Sequence, residues 1–172
     1  DELVVLGSSP VLKMRKDNDN RTKVHVAIEN MYLGYFVFSS HYRNKVPLLV
    51  KTLRQQYSLS VVSGDTDVEK ENLQRLFGMQ TNLLFQQQPL QKLSFIRRLQ
   101  EQGKKVMMIG DGLNDAGALQ QSNMGIAIAE DTNNFTPASD AILEASKMHL
   151  LPKFIQLCRA NKQIIVAGFT LS

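Results

Sequence analysis

The stretch Lys105-Val106-Met107-Met108-Ile109-Gly110-Asp111-Gly112-Leu113-Asn114-Asp115 decides the fold. Lys105–Ile109 is a strongly apolar run, of the kind a buried strand needs. It stops in a tight loop holding two glycines, two carboxylates and an amide. Like charges that close repel each other, and each carboxylate is costly to desolvate. A Mg²⁺ ion resolves that conflict, because it prefers carboxylate oxygens together with water and phosphate. The competing reading is a Gly/Asn/Asp-rich turn.

Working outward, helices and strands alternate. Downstream, Asn114–Gln121 reads as a helix, Gly125–Ile128 and Ala141–Leu143 as strands, and Pro152 onward as a last long helix. Upstream, Pro89–Gln102 is a helix that starts at proline and stops at Gly103. Asn82–Phe85 is a short strand, Val68–Phe77 a helix ending at Gly78, Leu59–Val62 a buried strand, and Val46–Gln56 a helix. Strands alternating with helices imply a parallel sheet covered on both faces. Before about Asn44 the rhythm is β: Leu3–Leu6, a polar loop at Lys16–Arg21, and a hairpin of Lys23–Glu29 and Tyr32–Phe38.

Ligands of such sheets bind beyond the carboxyl ends of the strands, and two more constellations lie there. Ser63-Gly64-Asp65-Thr66-Asp67 follows the strand Leu59–Val62. Its hydroxyl and backbone N–H groups at a helix start suit a phosphate; the alternative is a plain turn with Asp67 as N-cap. Pro89-Leu90-Gln91-Lys92 puts a lysine in the first turn of a helix, against the dipole. It is either solvated or aimed at a phosphoryl oxygen as a compact charge.

The bulk properties set outer bounds. The chain has 172 residues, 43% of them hydrophobic and 21% charged, which suits a folded core. The net charge of +4 arises from 20 basic and 16 acidic residues. There is no basic stripe interleaved with aromatics, so nucleic acid is not an expected partner. The single cysteine, Cys158, excludes an internal disulfide and fits a reducing compartment. His25, His41 and His149 share no ligand spacing. Met107-Met108 point to opposite strand faces and read as core. Gln86-Gln87-Gln88 reads as a polar loop. No apolar run is long enough to cross a bilayer. Ile164–Ser172 is nevertheless apolar, either the end of a core helix or the start of a transmembrane one.

Ser63-Gly64-Asp65, Pro89-x-x-Lys92 and Gly110-Asp111-Gly112-Leu113-Asn114-Asp115 resemble, in order and spacing, the later signature motifs of P-type ATPases, members of the haloacid-dehalogenase-like superfamily. Ala116-Gly117-Ala118-Leu119, Met124-Gly125-Ile126-Ala127-Ile128 and Ser139-Asp140-Ala141-Ile142-Leu143 strengthen the match. The likeness runs from about Tyr32 onward and is greatest for the heavy-metal, copper-transporting branch. It implies an α/β fold: a Rossmann-like haloacid-dehalogenase-type parallel sheet with helices on both faces, plus a small antiparallel β remnant at the N-terminus. It implies Mg²⁺ and ATP as cofactors. Ser63 and Gly64 would hold a phosphoryl oxygen and Asp65 would orient nucleotide and Mg²⁺. Lys92 would neutralise the transferring group and Asp111 would ligate Mg²⁺. Asn114 and Asp115 would complete the phosphate and metal shell, Asp115 also as a metal ligand. Gly7-Ser8 resembles the late Gly-Asn pair of the nucleotide-binding domain, with serine replacing asparagine.

On that reading residues 1–38 are the end of a nucleotide-binding domain, 39–163 a phosphorylation domain without its first strand, and 164–172 the start of a stalk or membrane helix. The family's Asp-Lys-Thr-Gly-Thr nucleophile stretch has no match here; Asp17-Asn18-Asp19 is the nearest approach. The acidic residue common before the first domain helix is missing too, with only Arg43 kept, and Gly117 replaces a frequent proline. The expectation is therefore a cytoplasmic fragment of a bacterial inner-membrane pump, inactive alone. Its transported cation would bind in the absent membrane part. The alternatives are a soluble phosphatase of the superfamily and a non-catalytic nucleotide- or Mg²⁺-binding module.

Overall fold

The computed structural model describes residues 3–7, 22–29, 31–38, 42, 45–111, 113–130 and 138–170. The chain divides into two compact units, Asp1–Tyr42 and Arg43–Ser172. The polar loop expected at Lys16–Arg21 lies outside the described residues.

The first unit is a three-stranded antiparallel sheet in the order β1 (Val4–Gly7), β2 (Thr22–Ile28), β3 (Met31–Phe38). Val24 pairs with Phe36 and Ala27 with Tyr32, with a register shift between Val26 and Ala27. The shift lets the hairpin twist more strongly. Ala27 and His25 are buried, while Tyr32, Leu33, Tyr35, Phe36, Val37 and Phe38 stay exposed.

The second unit alternates as the sequence pattern implies. Its order is α1 (Val46–Arg54), β4 (Ser60–Val62), α2 (Lys70–Phe77), β5 (Asn82–Leu84), α3 (Pro89–Glu101), β6 (Met107–Gly110), α4 (Ala116–Gln121), β7 (Met124–Ala129), β8 (Ala141–Glu144) and α5 (Leu151–Thr170). All strand pairs are parallel. Among the described residues they form two blocks, β4-β5 and β6-β7-β8, where the sequence suggested one sheet. β4 and β5 are only three residues each.

β7 is the middle strand of its block and is buried or half-buried throughout. Ile126 joins Leu49 of α1 and Leu151 of α5 in the core, with Ile109, Leu143 and Ile155 around them. α4 also packs against β7. Gly125 makes that approach possible, because a Cβ there would sit 2.5 Å from Leu119 O and 2.9 Å from its carbonyl carbon. Leu119, the largest fully buried side chain among the described residues, lies at this contact. Burying it contributes about 2 kcal/mol. Helix α3 packs on α4, and α1 on α2 and α5. No helix among the described residues is long and apolar enough to cross a membrane.

Candidate functional site

The carboxyl ends of β4, β5 and β6 carry the polar residues singled out above; hydrogen bonds tie the loop after β4 to the loop after β5, and Lys92 ties α3 to the loop after β6. Beyond β4, Ser63 donates its N–H to Leu84 O (2.8 Å) and accepts from Gln87 N–H at its carbonyl (2.9 Å). Its hydroxyl donates to Asp65 Oδ2 (3.1 Å) and accepts from the Asp65 N–H (3.1 Å). Asp65 O accepts from Gln86 N–H (2.8 Å). This bond holds Gln86 at φ +56°, a left-handed conformation that costs a non-glycine residue about 1 kcal/mol. Gly64 lies beside the same loop: a Cβ on it would be 3.5 Å from Gln87 O.

The glutamine run thus shapes the site, which the reading of Gln86-Gln87-Gln88 as a polar loop missed. Gln88 caps α3, accepting Gln91 N–H at its side chain while its own N–H donates to Gln91 Oε1 (2.7 Å). The available signal was the Gln-x-x-Gln spacing before a helix, a variant of the capping box. A second correction concerns Asp67. It is not an N-cap: it opens a 3₁₀ turn, Asp67–Glu69, preceded by Thr66 in extended conformation with no side-chain cap bond. The α-helix proper begins only at Lys70, so no helix start lies directly behind Ser63 and Gly64.

Lys92 is not solvated. It is 9% exposed, and its Nζ donates to Asp115 Oδ1 at 2.7 Å. Asp115 is equally buried. A buried pair of this kind recovers its desolvation cost only with good geometry, and removing one partner leaves a costly lone charge. Gly110 is the reason the carboxylate fits. A Cβ at Gly110 would overlap Asp115 Oδ2 and lie 2.9 Å from Asp115 Cβ. The glycine that ends β6 therefore sets where Asp115 sits, and Asp115 sets where Lys92 points. Its backbone carbonyl also accepts the Leu119 N–H (2.8 Å), anchoring α4.

Asp111 and Asn114 are exposed at the end of β6. Ser63, Gly64, Asp65, Lys92, Asp111, Asn114 and Asp115 thus all belong to loops or helix starts at the carboxyl ends of β4, β5 and β6. Gly7 lies in the other unit, at the end of β1, paired with His25 of β2. Ser8 falls outside the described residues. His25, which showed no ligand spacing, is buried with its Nδ1 3.1 Å from Tyr32 Oη.

Among the described residues no three His, Cys, Asp or Glu side chains gather as a ready-made metal cage. A Mg²⁺ fits this donor set in a different manner. The ion keeps several waters and typically takes one or two carboxylates plus phosphate oxygens. Asp111 is an exposed carboxylate at a strand end, whereas Asp115 already engages Lys92.

A family profile described as haloacid dehalogenase-like hydrolase matches residues 10–123. The copper-exporting P-type ATPase of Staphylococcus saprophyticus is 28% identical over 162 residues, 94% of this chain and 20% of that protein. The chain thus spans about a fifth of the length of that curated relative. Among solved structures, a zinc-transporting PIB-type ATPase in its E2.Pi state superimposes with a TM-score of 0.71 at 22% identity. The match covers 98% of this chain and 29% of that one. The 3-deoxy-D-manno-octulosonate 8-phosphate phosphatase of Moraxella catarrhalis, solved with magnesium and phosphate, matches with a TM-score of 0.58 at 17% identity, covering 78% and 80%. At these identities the two structures speak to fold.

Proposed function

We propose, from the fact that the chain belongs to the haloacid dehalogenase-like hydrolase family, that it is the phosphoryl-handling part of an ATP-driven heavy-metal pump, with copper as the cargo of the intact protein. The observation that carries this is the buried Lys92–Asp115 contact, which holds an ammonium against the loop that follows β6. The likeness to a copper-exporting pump over 94% of the chain favours a pump over a free-standing phosphatase.

In this reading the Ser63 hydroxyl and the Gly64 N–H hold phosphoryl oxygens. Asp65 steadies the Ser63 hydroxyl and orients the nucleotide. Lys92 neutralises charge that builds up as the phosphoryl group moves, its position fixed by Asp115. Asp111 ligates Mg²⁺, and Asn114 with Asp115 completes the polar shell. Bound Mg²⁺ would supply charge neutralisation and orientation at the phosphate. Phosphoryl transfer needs mainly such positioning and electrostatic stabilisation.

No Asp-Lys-Thr-Gly-Thr stretch occurs in the sequence, so the nucleophile would come from another segment of the intact pump. Among the described residues neither β4 nor β6 has a second strand partner, which leaves edges for a strand bearing that aspartate. Residues 1–38 would then close the nucleotide-binding domain, with Gly7 and Ser8 near the nucleotide, and the phosphorylation domain would face the cytoplasm.

The test is acid-stable labelling with γ-labelled ATP. The full-length gene product should label stoichiometrically in the presence of Mg²⁺. Asp111→Asn and Lys92→Met in that protein should each reduce labelling by a hundredfold or more, on the order of one lost electrostatic stabiliser. The 172-residue chain alone should not label. Wild-type labelling in the Asp111→Asn protein would sink the proposal.

A further inference from the structure

The loops after β4 and β5 do not meet as two parallel strands running on would meet. In an unbroken parallel ladder, a residue whose N–H bonds one carbonyl of the neighbouring strand offers its own carbonyl to the N–H two residues further along. Ser63 donates to Leu84 O, so the regular donor to Ser63 O would be Gln86. The donor is Gln87 instead, at 2.9 Å. One extra residue has entered the chain beyond β5, which makes a bulge. Gln86 is that residue, and at φ +56° its N–H goes to Asp65 O (2.8 Å).

The displaced bond reaches two residues past Ser63. It draws the Asp65 backbone toward the β5 loop, so the chain curls through Gly64. Within that curl the Ser63 hydroxyl accepts the Asp65 N–H and donates to Asp65 Oδ2, both at 3.1 Å. Gly64 lies close to the bulge as well, since a Cβ there would be 3.5 Å from Gln87 O. A left-handed bulge residue is usually glycine, which adopts that conformation without steric cost. A non-glycine residue persists there only where its surroundings hold it. Here the backbone bonds among Ser63, Leu84, Gln87, Gln86 and Asp65 do so. The Gln86 side chain is exposed and takes no part in them.

We propose that Gln86 is a positioning residue for the phosphoryl site. Its left-handed backbone, rather than its side chain, fixes the curl of Ser63-Gly64-Asp65, and it acts through Asp65. The inference rests on the reading that Ser63 and Gly64 hold phosphoryl oxygens, and adds to it a residue on a different loop.

The experiment measures the maximal rate of acid-stable labelling of the full-length gene product at saturating γ-labelled ATP. Gln86→Ala removes the side chain and keeps the steric cost of the left-handed region, whereas Gln86→Gly removes that cost. Both should label at close to the wild-type rate. Gln86→Val puts a β-branched residue where that conformation is an outlier. Its labelling should fall by on the order of a hundredfold, the cost of misplacing a reacting group by about an ångström. Trypsin should cleave it no faster than wild type. Wild-type labelling by the valine variant would overturn the proposal, as would a comparable loss in the alanine or glycine variant. So would faster cleavage of the valine variant, because the residue would then serve the fold alone. Asp111→Asn, labelled in parallel, separates the two readings. If that variant loses its label and the valine variant does not, only the role of Gln86 falls. A wild type that never labels removes the phosphoryl reading and this one with it.

Discussion

The two units handle apolar surface in opposite ways. The first spreads Tyr32, Leu33, Tyr35, Phe36, Val37 and Phe38 along one exposed strand and buries only Ala27 and His25 among its described residues. The second folds α1, α4 and α5 against β7 and gathers Leu49, Ile126 and Leu151 into a core, with Leu119 buried at the α4 contact. Burial of apolar area is the main favourable term in folding. The second unit therefore holds its own source of stability, and the first has little. What separates them is size, residues 1–42 against residues 43–172, and whether helices cover the sheet.

The sharpest way to break this contrast is to cut the chain. Residues 43–172 alone should retain a cooperative urea transition, and residues 1–42 alone should show none; a cooperative transition in the short piece would refute it. Next comes the buried ion pair. Lys92→Ala should cost about 3–5 kcal/mol, because it strands the Asp115 carboxylate. The double variant Lys92→Met/Asp115→Leu should recover most of that loss in a denaturant-based mutant cycle. Recovery of stability without recovery of labelling would show that the pair is kept for chemistry. Leu119→Ala, at the α4–β7 contact, should cost about 2–5 kcal/mol. His25→Phe in the weak unit should shift the same transition by less than about 1 kcal/mol.

The smallest effect concerns acid. The Glu144 carboxyl is held below its ordinary range, first by its hydrogen bond to Lys147 and then by Ser146. Its contribution is full above the ordinary carboxylate range and fades as pH falls through the lowered value. With 35% of the Glu144 side chain and 62% of the Lys147 side chain exposed, solvent screens the pair, and Glu144→Gln should leave the melting temperature at neutral pH nearly unchanged. A large drop would mean that this salt bridge matters to the core.

Much of this arrangement is legible in the residues. The alternating elements of the second unit follow from short apolar runs punctuated by Gly78, Pro89 and Gly103. The loop Gly110–Asp115 announces itself because two carboxylates so close need a reason. Other features depend on contacts between distant segments. Whether Lys92 is solvated or buried turns on Asp115, 23 residues away. The role of Gln86 and Gln87 turns on the carbonyls of Asp65 and Ser63. Asp67 satisfies the composition rule for a cap and still fails as one, because a 3₁₀ turn delays the helix to Lys70.

Helix α5 has a mechanical consequence. Leu151 and Ile155 clamp its root in the core, while its last fifteen residues are exposed. Twenty residues make an uninterrupted rod about 30 Å long. Tilting such a rod by about 10° at the root sweeps its tip through about 5 Å. Sub-ångström repacking around Ile126 is thereby geared up into a displacement the size of a side chain.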